Sequence, residues 1–363
     1  MTGRGEHTRA EILSQPVCWE QCLQHLEQDG QLLAARERFA SGSDWLFVGC
    51  GSSYYIALAA AAMWTAVTGM RARAVPASEV LLFPDLLPAS PKACVPVLIS
   101  RSGRTSEVVR AAEHFEKERN LRTLAVTCSA GQALEKAATS TLCLPDADEH
   151  STVMTRSFNS MLLGLQALAA AVANRAAFAK ALRKLPRLMA PAMDAILDKM
   201  DALAGREFAD AVFLGQGPFY GLACESGLKL QEMSCSYSQV FHTLEFRHGP
   251  KSIAAPQVLV AFLLSETGYD AEVGVLEEIK ALGATTLVIA NAAGQRARAA
   301  ADVFIEFAFD VPEFSRLAAY TVPGQMLGLA TGLKKGLDPD EPRHLARVVM
   351  LQEENGKPQH AAF

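Results

Sequence analysis

Strand-like and helical runs alternate along the chain, and the alternation forms two successive sets. Such alternation predicts parallel sheets covered by helices on both faces. Mostly helical sequence separates the two sets, at about residues 156–204. The predicted strands are 45–49, 72–76, 94–100, 122–127 and 141–145 in the first set, and 211–215, 258–265, 285–290 and 303–307 in the second.

Three turns of the first set match three turns of the second, in the same order and at nearly constant spacing. VGCGSS (48–53) matches LGQGPF (214–219), SRSGRTSEV (100–108) matches SETGYDAEV (265–273), and LAVTCSAG (124–131) matches LVIANAAG (287–294). An internal duplication explains these matches better than chance similarity between two α/β units.

Only the first unit keeps hydroxyls and positive charge in the second of these turns. In the second unit, Glu266 and Asp270 stand at the positions of Arg101 and Thr105. Ligands of open α/β sheets lie beyond the carboxyl ends of the strands, where helix N-termini attract anions and two carboxylates would repel them. We therefore expect a phosphate site in the first unit alone. Its turn contributes Ser100, Arg101, Ser102, Gly103, Arg104 and Thr105.

The simplest alternative for SRSGRTSE is an ordinary helix N-cap, which accounts for a hydroxyl followed by Glu107. It does not account for the additional hydroxyls of Ser52 and Ser53 after the neighbouring strand. GCGSS is neither a Walker loop nor a dinucleotide fingerprint, because the required lysine and third glycine are missing. The pattern favours a small monophosphate over a nucleotide.

Composition excludes several other classes of function. The chain has 363 residues and a formal net charge of −5, which argues against binding nucleic acid. The cysteines are scattered and four lie in or beside apolar strand-like runs, as expected of reduced thiols in a cytoplasmic protein. The first residues contain no apolar signal core, the most apolar stretches are shorter than a bilayer span, and no histidine, cysteine and aspartate cluster has metal-ligand spacing, so we expect no signal peptide and no membrane span. We expect no metal, no organic cofactor, no nucleic-acid partner and no membrane contact.

The segment 218–234 is predicted to be a helix that carries a narrow polar stripe. Glu225, Lys229 and Glu232 share one face at i, i+4 and i+7, among small and apolar neighbours. A solvated ladder of charges and a buried functional stripe explain this spacing equally well.

Five motifs resemble the sugar isomerase (SIS) family, and most closely the isomerase half of glucosamine-6-phosphate synthase and related amino sugar phosphate deaminases. They are VGCGSSYYIA, ISRSGRTSEVV, ESGLKLQEMS, FRHGPKS and AYTVPGQMLGLATGLKKGLDPDEPRHLARVV. The resemblance implies two flavodoxin-like subdomains, a homodimer and a hexose 6-phosphate ligand. The expected division is a helical lead-in (1–40), a phosphate-binding subdomain (41–200), a catalytic subdomain (201–340) and a tail (341–363).

The resemblance also implies roles for particular residues. Glu232 matches the carboxylate that moves a proton between C1 and C2 of the open-chain sugar. Lys229 would stabilise the developing oxyanion and Glu225 would balance its charge. His248 matches a histidine that opens the sugar ring from the neighbouring subunit, whereas His242 has no match. The expected ligand-binding set is Gly51, Ser52, Ser53, Ser100, Arg101, Ser102, Gly103, Thr105, Thr155 and Arg347.

Two features depart from the synthase. Its imine-forming lysine is replaced here by Arg347, and a guanidinium stays protonated and cannot form a Schiff base. Residue 2 is threonine and not the cysteine nucleophile of a glutaminase domain, so we expect no use of glutamine. The predicted function is that of a sugar-phosphate isomerase or amino sugar-phosphate deaminase. The alternatives are a deglycase of sugar–amine 6-phosphates and a non-catalytic sugar-phosphate sensor.

Overall fold

The computed structural model describes residues 3–87 and 93–351. Its first sheet has the strand order β2-β1-β3-β4-β5, and neighbouring strands run parallel. This is the order of flavodoxin-like sheets, and it places β1 and β3 side by side in the centre. The strands are β1 (Asp44–Gly49), β2 (Arg71–Pro76), β3 (Cys94–Ile99), β4 (Leu124–Thr127) and β5 (Ser140–Cys143).

The second sheet repeats this arrangement with the order β10-β9-β8-β6-β7, again with parallel neighbours. Counted from its own first strand, its order is the same as that of the first sheet. The predicted class of two tandem α/β units is therefore confirmed. The strands are β6 (Asp210–Gly215), β7 (Ser238–His242), β8 (Val258–Leu263), β9 (Thr285–Ala290) and β10 (Val303–Glu306).

Helices cover both sheets and join the two units. The helices of the first unit and its N-terminal segment are α1 (Glu6–Leu13), α2 (Gln15–Gln28), α3 (Gln31–Arg38), α4 (Ser52–Thr68), α5 (Ala77–Leu82), α6 (Ser106–Glu113) and α7 (Ala133–Ala137). The remaining helices are α8 (Arg156–Val172), α9 (Ala176–Met189), α10 (Met193–Ala204), α11 (Pro218–Ser234), α12 (Tyr269–Ala281), α13 (Gln295–Ala299) and α14 (Val322–Lys334). Shorter turns are the π turn His114–Glu118 and the 3-10 helices Pro84–Leu86, Pro145–Ala147, Ala190–Ala192, Glu245–Arg247, Pro250–Ile253 and Glu313–Thr321.

The two units meet along α4 and α11, the helices that follow their first strands. A Cβ atom at Gly221 of α11 would lie 2.7 Å from the backbone of both Tyr55 and Ala59 of α4, so only glycine permits this approach. On its other side α11 is approached by α14, where a Cβ at Gly328 would lie 2.7 Å from the Lys229 carbonyl oxygen. These contacts bury α11 between two helices.

The N-terminal helix α1 lies against the segment that follows α14. The Asp340 carboxylate accepts hydrogen bonds from the backbone N–H groups of His7 and Thr8, at 3.1 and 2.7 Å, at the start of α1. The Asp340 carbonyl accepts a bond from Thr152 N–H at 3.0 Å. Helix α1 is thus tied to residue 340, beyond the end of α14. Of the predicted tail, residues 352–363 lie outside the described part of the chain.

All eight cysteines are free thiols. Within residues 3–87 and 93–351, no helix combines the length and the apolar character needed to span a bilayer.

Candidate functional site

Two turns meet at the carboxyl edge of the first sheet because β1 and β3 are neighbours. The first turn follows β1 and leads into α4 at Ser52 and Ser53, which are both buried. Gly51 has φ 54°, in the left-handed region that favours glycine. A seventeen-residue helix begins directly at these serines, so its N-terminal amides face the edge of the sheet.

The second turn follows β3 and leads into α6. Ser100 Oγ lies 3.2 Å from Thr105 Oγ1, and Ser102 Oγ accepts a bond from Arg104 N–H at 3.2 Å. Gly103 has φ 61°, and a Cβ there would lie 2.9 Å from the side chain of Gln132. Within the described residues these hydroxyls bond only inside their own turn, which leaves further hydrogen-bonding capacity for a ligand.

The equivalent turn of the second unit is filled by carboxylates of the chain itself. Glu272 accepts bonds from the N–H and Oγ of Ser265, and Glu313 accepts bonds from Glu266 N–H, Thr267 N–H and Thr267 Oγ1. Burial raises the pKa of Glu272 to about 7, although the Ser265 bonds oppose the shift. An oxyanion would have to displace both carboxylates.

The expected asymmetry is therefore present, but the predicted carboxylates are not the ones that produce it. Asp270 has a side chain that is 94% exposed, beside Arg296. Glu266 is paired with Arg316 and accepts a bond from Asn291.

The polar stripe of α11 is buried, so a solvated ladder is the wrong interpretation. Relative exposures are 0% for Glu225, 1% for Lys229 and 19% for Glu232. Lys229 Nζ lies 3.3 Å from Glu225 Oε1, donates to Glu232 Oε2, and lies 3.2 Å from Oγ of Ser52 in the first turn. One ammonium group thus connects two carboxylates of the second unit to the hydroxyl-rich edge of the first.

Burial and the neighbouring charges shift the pKa values of Glu225 and Lys229. Burial raises the pKa of Glu225 to about 7, although the Lys229 ammonium opposes the shift. Burial alone would lower the pKa of Lys229, but the carboxylates of Glu225 and Glu232 more than offset it, so the pKa of Lys229 is raised. Lys229 is therefore a cation at neutral pH, while Glu225 is close to its midpoint.

A cavity of about 210 Å³ adjoins Glu232 on the side of the terminal segments. It is lined by two arginines, Arg4 and Arg343, and by the carboxylates of Asp338 and Glu341. Arg343 is exposed and has no side-chain partner within the described residues. The cavity is open and charged, in contrast to the apolar packing around Glu225.

Three side chains of the expected ligand-binding set are used elsewhere. The Arg101 guanidinium is buried and pairs with Glu149, at 3.1 Å, and with several backbone carbonyls. The hydroxyl and N–H of Thr155 both donate to Glu149, at 2.8 and 2.6 Å. Arg347 pairs with Asp148. In this structure their donors are directed to Glu149 and Asp148, pairings that no local sequence pattern shows.

His248 does not reach the carboxylates of its own chain. It is exposed in the turn after Glu245–Arg247, and within the described residues its side chain has no hydrogen-bond or ion-pair partner. Glu245 is exposed too. His242 stacks on Tyr220 with ring centroids 3.8 Å apart, and burial lowers its pKa, as suits a structural histidine.

Sequence and structure comparisons place this geometry among known proteins. Residues 41–171 match the SIS domain. Glucosamine-6-phosphate deaminase from Thermotoga maritima has a crystal structure with a TM-score of 0.81 and 30% identity, covering 95% of this chain and 100% of that one. The chain belongs to the SIS-domain family. A second similar structure, tagatose-6-phosphate ketose/aldose isomerase from Escherichia coli, shares the fold at 22% identity, with a TM-score of 0.82 over 97% of this SIS-domain chain and 98% of its own.

Curated relatives of this SIS-domain chain are longer. Glutamine–fructose-6-phosphate aminotransferase [isomerizing] from Pyrobaculum aerophilum is 28% identical over 335 residues, or 88% of this chain and 52% of the relative. The protein of that name from Methanothermobacter thermautotrophicus is 27% identical over 338 residues, or 92% of this chain and 54% of the relative. The chain thus spans about half the length of the curated relatives it matches.

The raised pKa of Glu225 predicts a specific pH dependence of stability. Folded Glu225 holds its proton up to about pH 7, whereas an unfolded glutamate releases it near 4.5. This group therefore makes the wild-type free energy of unfolding fall as pH rises across that window, by up to about 3 kcal/mol. Glu225→Gln removes that fall, so its stability relative to wild type should increase from pH 4.5 to pH 7.

Urea unfolding at several pH values measures this difference. Glu37→Gln, at an exposed position on α3, is the matched control and should follow the wild-type curve. Parallel curves for Glu225→Gln and wild type would contradict the assignment.

Proposed function

We propose that this chain moves a proton between C1 and C2 of an open-chain hexose 6-phosphate or amino sugar 6-phosphate. The observation that carries the proposal is the Lys229 ammonium, which contacts both Ser52 at the first turn and the Glu232 carboxylate. A phosphate held at one end of a hexose would thereby place the other end beside a partly exposed carboxylate.

The phosphate would bind where the N-termini of α4 and α6 converge. Ser52, Ser53, Ser100, Ser102 and Thr105 offer hydroxyl donors there, at the positive ends of the two helix dipoles. The second unit lacks such a site because Glu272 and Glu313 already occupy the corresponding donors.

Glu232 is the proposed general base. It would remove the proton from C2 of the aldose to give an enediolate with its negative charge on the C1 oxygen. A proton would then pass from the C2 hydroxyl to the C1 oxygen, and Glu232 would return its proton to C1 to give the ketose. The Lys229 ammonium would stabilise the developing oxyanion. Glu225 has a pKa of about 7, so it is partly ionised at pH 7. It would thereby help to balance the charges of Lys229 and Glu232.

An amino group at C2 would turn the same proton transfer into deamination. Moving the proton from C2 to C1 leaves a C2=N imine, and water converts this imine to the ketose with release of ammonia. The deaminase and isomerase names of similar proteins support both outcomes. Neither outcome needs an oxidant or reductant.

The charged cavity beside Glu232 favours one alternative, a deglycase. A sugar amine 6-phosphate whose nitrogen carries an amino acid would extend past Glu232, and Arg343 and Glu341 in the cavity could pair with its carboxylate and ammonium. The same proton transfer would then form an imine that water hydrolyses to the free sugar and the amine.

Isotope exchange tests the proposal. Incubation with fructose 6-phosphate, glucosamine 6-phosphate or an N-substituted fructosamine 6-phosphate in deuterated water should place deuterium at C1 or C2. Glu232→Gln should lower the exchange rate by about 10²–10⁴-fold while ligand-induced thermal stabilisation persists. Glu37→Gln on α3 should exchange like wild type. Binding without exchange for every sugar phosphate would favour a sensor and reject the enzyme.

His248 extends the proposal to a homodimer. Its exposed position, with no ion pair to Glu232 of the same chain within the described residues, is consistent with a histidine that opens the ring in the partner's site. Each site of a symmetric dimer would then combine Glu232 of one chain with the histidine of the other.

Mixing two inactive variants tests this arrangement. Glu232→Gln and His248→Ala chains, unfolded together and refolded, should regain about a quarter of wild-type turnover of a cyclic sugar phosphate, because half of the dimers are mixed and one of their two sites is intact. Each variant refolded alone is the control. No recovery, with mixed dimers demonstrated by differential tags, would place His248 in its own chain's site. Wild-type turnover by His248→Ala refolded alone would place His248 outside catalysis.

A further inference from the structure

Arg101 lies between Ser100 and Ser102, yet its side chain points into a buried cluster. Its guanidinium donates to Glu149 Oε2 at 3.1 Å and to the carbonyls of Ser151, Thr152, Val153 and Arg347 at 2.9–3.4 Å. Arg101 is 5% exposed and the Glu149 side chain is 0% exposed. The four N–H groups of the two Nη atoms are taken up by these five acceptors and are not available to a phosphate.

Glu149 is held as firmly as its partner. Its carboxylate accepts bonds from the N–H and hydroxyl groups of both Thr155 and Ser157, at the start of α8. The Arg101 carbonyl accepts bonds from Cys128 N–H at 3.0 Å and Thr127 Oγ1 at 3.1 Å, at the end of β4. Residue 101 is therefore fixed through both its backbone and its side chain.

The second unit contains the same connection with its charges exchanged. Glu266 stands at the position of Arg101, and its carboxylate pairs with Arg316, which is 1% exposed. Arg316 lies shortly before α14, as Glu149 lies shortly before α8. In the first unit the ion pair joins the turn after β3 to the segment before α8. In the second unit it joins the turn after β8 to the segment before α14. In the first unit the turn carries the cation, whereas in the second it carries the anion.

We propose that Arg101 and Glu149 are positioning residues for the phosphate, and that their ion pair fixes the hydroxyls of Ser100 and Ser102 and the start of α6. This inference rests on the proposed function. The reversed pair of the second unit, Glu266 and Arg316, keeps the connection but serves no phosphate site, because Glu272 and Glu313 occupy that turn. In the first unit the cation of the pair, Arg101, stands in the turn and the anion, Glu149, stands outside it. The pair therefore places no carboxylate in the turn that would bind the phosphate.

A purely structural ion pair and a positioning pair make different predictions. If the pair only stabilised the fold, breaking it in either unit would lower the melting temperature and leave ligand affinity alone. If it positions the phosphate turn, only the break in the first unit should weaken phosphate binding. The second unit supplies the control, with a less buried pair in which the Glu266 side chain is 46% exposed.

The experiment compares Glu149→Gln with Glu266→Gln in the full chain. Titration calorimetry with inorganic phosphate and with glucosamine 6-phosphate, together with exchange kinetics, gives the dissociation constants, KM and kcat. Glu149→Gln should weaken affinity and raise KM by about tenfold or more, while kcat at saturation changes much less. Glu266→Gln should leave affinity and KM at the wild-type values.

Two further variants keep the test decisive if Glu149→Gln folds poorly. Arg101→Lys keeps the charge but loses the planar fork, and it should reproduce the loss of affinity. The double exchange Arg101→Glu with Glu149→Arg copies the polarity of the second unit. It should restore the melting temperature but not the phosphate affinity.

Equal loss of affinity in Glu149→Gln and Glu266→Gln would overturn the inference, as would unchanged affinity in Glu149→Gln and Arg101→Lys. Wild-type protein that binds neither phosphate nor any sugar phosphate would instead overturn the proposed function, and the inference with it.

Discussion

The hydrogen bond from Lys229 of the second unit to Ser52 of the first connects the two halves of the proposed site. The phosphate turn lies on one side of this bond and the carboxylates of α11 lie on the other. The bond exists because Gly221 lets α11 approach the backbone of α4, so the helices after the two first strands cross closely. A buried lysine needs compensating charge, and Glu225 and Glu232 supply it from the same helix. The phosphate turn and the proton-handling carboxylates are therefore neighbours in one chain.

The two α/β units have the same strand order but sheet edges with different contents. In the first unit the hydroxyls of Ser100 and Thr105 bond to each other, Ser102 Oγ accepts a bond from Arg104 N–H, and all three retain capacity for a ligand. In the second, Glu272 and Glu313 fill the corresponding donors, so that edge needs no ligand to satisfy its backbone. The second unit contributes α11 instead. The N-terminus of a helix that follows a parallel strand can thus bind an anion only when carboxylates of the chain do not already occupy its hydrogen-bond donors.

Much of the fold could be predicted from the sequence because its signals are local. Strands appear as apolar runs, and the matched turns around Ser100 and Ser265 anticipate two sheets of one topology. Candidate site residues on the strand ends, such as Ser52 and Ser102, follow from the same rule. Spacing also placed Glu225, Lys229 and Glu232 on one face.

The remaining features depend on contacts between distant residues. Periodicity could not show that Lys229 is buried, because its burial requires α4 and α14 on either side. The direction of the Arg101 side chain is set by Glu149, 48 residues away, and the second turn is filled by Glu313, 47 residues from Glu266. No local pattern encodes such pairs.

The most direct measurement is a crystal structure of the chain with a bound hexose 6-phosphate. The account predicts that the phosphoryl oxygens bond to the hydroxyls of Ser102 and Thr105, that C1 and C2 face Glu232, and that Glu272 and Glu313 keep their bonds in the second unit. A phosphoryl group bound at the Ser265 turn, or anywhere apart from the first unit's turns, would contradict it.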